Sequence, residues 1–111
     1  VENSRFSEQG LERPVEEPRL ISLEVIEEGA LRVVGEATVC EARALQLLLL
    51  ELVEQERESW TLDLSGLSAL DSAGAQLLLA FKREAKRVRF HSWPPAMRAF
   101  LEQTALFQQL L

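Results

Sequence analysis

From about Leu20 onward the apolar residues switch between a spacing of two and a spacing near 3.6, and this alternation restricts the fold more than any single motif. Ile21, Leu23 and Val25 alternate with Ser22 and Glu24, the pattern of a strand buried on one face. Glu28 and Gly29 give a turn signal and Leu31, Arg32 and Val33 alternate again, so a hairpin opens the domain. Gly35 is expected to break the second strand. Thr38 and Glu41 then have capping-box spacing, in which the hydroxyl meets an amide of the first turn and the carboxylate reaches back to the cap amide. Ala42, Leu45, Leu48, Leu49, Leu52 and Val53 follow at helical spacing. Leu47 and Leu50 widen the apolar arc beyond one buried stripe. The plain explanation is a partly exposed leucine or a crowded core, and the functional one is a partner-facing surface.

A third strand is expected over residues 60–64, with Trp60, Leu62 and Leu64 on one side and Thr61 and Asp63 on the other. Ser65 and Gly66 read as a turn, residues 67–70 as an apolar link, and Asp71 as the start of a second helix ending near Ala85. Leu78, Phe81 and Ala85 can share the buried face of that helix. Lys82, Arg83 and Lys86 sit at its end, where cations suit the negative end of the helix dipole. Residues 88–91 read as a fourth strand. Pro94 and Pro95 set up a third helix with Met97, Phe100 and Leu101 as its apolar side, and residues 106–111 fold back as a short helical turn. This order predicts an α/β fold: a mixed four-stranded sheet with right-handed parallel crossovers and helices packed mainly on one face.

The chain has 111 residues, enough for one domain, which is expected over residues 20–111. Residues 1–19, rich in Glu and carrying Pro14 and Pro18, read as a flexible tail or linker that cannot bury enough to offset its ordering entropy. The net charge of -6, with no basic patch, argues against nucleic acid as a partner. No apolar run approaches the length of a membrane span, and the polar start does not resemble a signal peptide. The single cysteine, Cys40, cannot form an internal disulfide, and a reducing cytoplasm fits this usage. Because the sequence does not begin with Met, it is read as processed or as part of something longer.

Catalytic chemistry finds little support. The five glycines are isolated and build no phosphate loop. One His and one Cys, far apart, make no metal set. Ser72, His91 and Asp71 can be assembled into a triad on paper, but Asp71 adjoins Ser72 instead of being placed to orient a distant His. His91 reads as a solvated or hydrogen-bonded residue on the polar side of its strand. Asp63 and Asp71 could converge at neighbouring strand ends as a carboxylate pair, although such aspartates more often end strands and cap turns. No catalytic residue, cofactor or metal is expected, and the chain is read as a binding module and not an enzyme.

Residues 62–74, LDLSGLSALDSAG, stand out as a strand, a polar turn, an apolar link and a helix opening with a hydroxyl behind an aspartate. Asp and Ser are preferred N-caps, which accounts for them without any function. The small Ala73, Gly74 and Ala75 would let something approach the helix start closely, at a cost in helix propensity. With Asp63 and Ser65 in its first part and Asp71, Ser72 and Gly74 in its second, the segment resembles the STAS family of bacterial anti-sigma factor antagonists. Gly35-Glu36 and the stretch from Pro95 through Phe107 resemble other parts of that family, so the likeness runs over residues 20–111.

The resemblance implies a phosphorylatable hydroxyl at Ser72 and a partner-binding surface at Asp63, Ser65, Asp71, Ser72, Ala73, Gly74 and Ala75. It implies an anti-sigma factor that is also a serine kinase as partner, and a phosphatase that resets the switch in signal transduction and transcription regulation. A second implied role is an accessory subunit of a phospholipid ABC transporter, docked on its ATPase. A third is a regulatory domain detached from a longer sensor or anion transporter. A monomer or weak homodimer is expected, with no direct membrane insertion.

Overall fold

The two periods resolve into alternating strands and helices in a computed structural model of the chain, which describes residues 21–111. Strands β1 (Ile21–Glu27) and β2 (Ala30–Ala37) form the opening hairpin. A single 3-10 turn (Val39–Glu41) leads into α1 (Ala42–Glu54), followed by β3 (Trp60–Leu70), α2 (Ser72–Glu84), β4 (Val88–His91), α3 (Pro95–Glu102) and α4 (Ala105–Gln108). The sheet order is β1-β2-β3-β4, with β1 antiparallel to β2 and the other two pairs parallel. Both parallel crossovers step across the sheet in the same direction, so right-handedness puts α1 and α2 on one face, where they pack against each other. The mixed sheet with its helices is the expected α/β architecture. The tail expected over residues 1–19 lies outside the described residues.

The core forms where the inward side chains of the strands meet the helix stripes. Val33, Leu62, Leu64 and Phe90 from the sheet are buried with Leu45, Leu49 and Leu52 of α1 and Ala75, Leu78, Leu79 and Phe81 of α2. Leu47 and Leu50 stay outside it, 46% and 47% exposed, which decides in favour of exposed leucines over a crowded core. Leu101, Phe107 and Leu110, from α3 onward, are buried in the same core. The Trp93 indole N–H donates to the Leu110 carbonyl at 3.2 Å, and the Lys82 ammonium donates to the carbonyl of Gln109.

Three local expectations are corrected. Strand β2 does not break at Gly35 but passes through it, at φ +114°, to reach buried Ala37. Strand β3 does not stop at Leu64: it runs through Ser65 and Gly66 for 11 residues to Leu70. Arg32 faces Asp63 whereas Val34 faces Gly66, and Gly35 faces Leu67 whereas Glu36 faces Ala69. Strand β3 therefore carries an extra residue at each of these steps and absorbs it as a bulge. A Cβ at Gly66 would lie 2.8 Å from the Val33 carbonyl oxygen, so this glycine serves close strand approach and not a turn. Finally, the capping box at Thr38 does not form as expected. Thr38 precedes the 3-10 turn and makes no side-chain cap bond, and α1 begins only at Ala42.

Candidate functional site

The long strand β3 ends at Leu70, and the chain turns at once into α2, so Asp71 stands between a strand end and a helix start. Its backbone is extended, as an N-cap requires, and its Oδ1 accepts the Gly74 N–H at 3.0 Å. Oδ2 accepts a second N–H, from Val39 at 2.9 Å, at the start of the turn that leads into α1. The Asp71 amide in turn donates to the Ala37 carbonyl at 3.2 Å. Burial by itself would raise the Asp71 pKa. The amides of Val39, Gly74 and Ala73 outweigh it and hold the carboxyl below its ordinary value.

Ser72 is the first residue of α2 and is exposed. Ala73 is half-buried beside it, while Gly74 and Ala75 are buried. A Cβ on Gly74 would fall 1.9 Å from the Ala37 carbonyl oxygen. The smallness of Gly74 is therefore used inside the molecule, seating α2 on the end of β2. Of the residues at this helix start, Ser72 and Ala73 are the ones that face outward. An open groove beside them is lined by Ala42, Arg43, Gln46, Ala73, Gln76 and Leu77. The α1 residues of that groove carried no functional signal in the sequence, because only the fold brings the two helix starts together.

Asp63 and Ser65 form a separate cluster. Asp63 is 9% exposed, and its Oδ1 accepts the Ser65 N–H at 2.8 Å. Its Oδ2 accepts from Arg32 Nε at 3.3 Å, and Arg32 also donates to Glu24 at 3.5 Å, so charges alternate across the three neighbouring strands. Burial would raise the Asp63 pKa. The Ser65 amide and hydroxyl and the Arg32 guanidinium more than reverse this, and the carboxyl lies below its ordinary value.

Asp63 and Asp71 thus do not converge as a carboxylate pair. Asp71 follows the end of the strand that carries Asp63, eight residues further on and roughly 25 Å away at the rise of extended chain. The triad drawn on paper is also absent: His91 lies opposite Asp63 in the sheet, and its Nδ1 meets Ser92 Oγ at 2.9 Å, not Ser72. Among the described residues no cluster of His, Cys, Asp and Glu could hold a metal ion, and no helix is long and apolar enough to cross a membrane.

A family model described as "Mlab, STAS domain" matches residues 24–111, and the chain belongs to the STAS domain family. Among solved structures, an anti-sigma factor antagonist from Mycobacterium paratuberculosis is similar at 23% identity and a TM-score of 0.71, covering 86% of each chain. The anti-sigma factor antagonist SpoIIAA in its unphosphorylated form is 20% identical over 76% of this chain and 83% of that one, with a TM-score of 0.57. The phosphorylated form of SpoIIAA, a Bacillus cell fate determinant, is 20% identical over 78% and 84%, with a TM-score of 0.58. At these identities the likeness is one of fold. No curated protein matches the chain in sequence.

Proposed function

We propose that the chain is a regulatory protein-interaction module whose partner choice is gated by phosphorylation of Ser72. The observation that carries this reading is an exposed hydroxyl at the first position of α2, held in place by an aspartate whose oxygens are already engaged. A phosphate there would add about -1.5 to -2 charges beside the Asp71 carboxylate. Asp71 remains bonded to its two amides, so the new charge acts outward, against an acidic partner surface or against close approach to Ala73. The solved SpoIIAA structures, in unphosphorylated and phosphorylated forms, support the reading by fold. The partner expected is an anti-sigma factor with serine kinase activity, and a phosphatase resets the switch. The chain acts in the cytoplasm, by binding and not by catalysis.

The test is a pull-down from lysate of the source cells, with wild type, Ser72→Ala and Ser72→Asp as baits and mass spectrometry of bait and prey. A kinase-like partner held by wild type and Ser72→Ala, lost with Ser72→Asp, and phosphate on Ser72 would support the switch. Equal retention by all three, with Ser72 unmodified, would reduce Ser72 to part of a helix start.

A second reading rests on the groove between α1 and α2, lined by Leu49, Leu50, Val53, Leu77, Ala80 and Phe81. An apolar groove suits constitutive docking, as for an accessory subunit on the ATPase of a phospholipid transporter. Copurification with an ATPase irrespective of the residue at 72 distinguishes it from the switch.

A further inference from the structure

The outer face of α1, opposite its buried Leu45, Leu49 and Leu52, carries Arg43, Leu47, Leu50 and Glu54, all exposed. Their spacing of four, three and four is that of a coiled-coil seam. The stripe is cationic at its start, apolar in its middle and anionic at its end. Neither Arg43 nor Glu54 takes part in an ion pair among the described residues.

Such a stripe is complementary to itself when reversed. If a second α1 lies antiparallel about a twofold axis between positions 47 and 50, Leu47 meets Leu50 of the other copy and Arg43 meets Glu54. The axis repeats both contacts. Helices crossing at about 20° bring such residues together along the seam. We infer that this face of α1 is a self-association surface, and that its occupant is a second copy of this chain in antiparallel orientation. Two leucines from each subunit cover less than the roughly 1,200–2,000 Å² of a stable interface, so the dimer is weak and forms as concentration rises. This inference is independent of the role proposed for Ser72.

The test is sedimentation equilibrium of the full chain over a concentration series to about 1 mM, the affinity at which binding becomes marginal. Wild type is expected to self-associate, and Leu47→Glu to stay monomeric with an unchanged circular dichroism spectrum. Arg43→Glu or Glu54→Arg alone turns both symmetric pairs repulsive and is expected to weaken self-association about tenfold. The double variant Arg43→Glu/Glu54→Arg restores it, and the two single variants mixed together form a heterodimer. A wild type that stays monomeric throughout overturns the inference and leaves the stripe to a different protein. A dimer indifferent to the charge reversals overturns it equally, because a different face then holds the copies together.

Discussion

The carboxylate of Asp71 reaches across the fold to Val39, its Oδ2 accepting the Val39 N–H at 2.9 Å while Oδ1 caps Gly74 at 3.0 Å. One side chain therefore serves the starts of two helical elements, the turn into α1 and the first turn of α2. This explains why Thr38 needs no cap of its own. It also fixes the surface at which Ser72 stands, since the ends of β2 and β3 are tied together directly beneath it.

Removing the bridge should separate its two halves. Asp71→Ser keeps a local cap for Gly74 but is too short to reach Val39, whereas Asp71→Ala loses both. A single cap is worth about 0.5–2 kcal/mol, so Asp71→Ala should fall near 2 kcal/mol and Asp71→Ser near half of it in urea unfolding. If Asp71→Ser is as stable as wild type, the bond to Val39 contributes nothing.

Acid should destabilise the fold in a defined window. Asp63 and Asp71 both have pKa values lowered from the ordinary 3.8, so near that pH the native state binds fewer protons than the unfolded chain. Their contribution is present in full above about pH 5 and is lost as pH falls through 4 toward the lower native values. Asp63→Asn should be less stable than wild type at pH 7, and the gap should narrow by pH 3. Stability measured by urea at both pH values checks this, and a gap of constant size would refute it.

Gly74→Ala should be severe for a reason unrelated to helix propensity, which favours Ala. Its Cβ would lie 1.9 Å from the backbone oxygen of Ala37, a group that the sheet holds in place. Overpacking of this kind costs about 1–3 kcal/mol or more, and here it also pushes α2 off the Asp71 cap. Thermal unfolding of Gly74→Ala against the exposed control Gln76→Ala checks it. Equal midpoints would mean that the helix start shifts at no cost.

The order of elements was legible because each buries one face and so leaves its period in the sequence. The helix start at Asp71 was legible for the same local reason, an N-cap ahead of an apolar repeat. In the sequence alone Gly35 and Gly66 read as ends of strands, because a glycine in a strand marks a turn or a bulge equally well. Only the pairing of β2 with β3 decides between them. The second role of Asp71 left no local trace at all, because Val39 lies 32 positions away and contributes only its backbone amide. Asp63 stands out in the sequence while its partner Arg32 does not, since the register that brings them together is a property of the sheet.

One substitution should instead stabilise the protein. Glu56, just past the end of α1, has φ +53°, in the left-handed region where a side chain costs about 1–2 kcal/mol. Its N–H donates to Val53 O at 3.1 Å, the arrangement of a helix terminus that commonly carries glycine. Glu56→Gly removes the steric cost but gives the unfolded chain more freedom, leaving a net gain of about 0.5–1 kcal/mol. Glu56→Ala keeps the backbone strain while discarding the carboxylate, so it should gain nothing. Urea unfolding of the pair separates the causes. If glycine and alanine raise stability equally, the benefit comes from losing an acidic side chain at the negative end of the α1 dipole and not from the backbone.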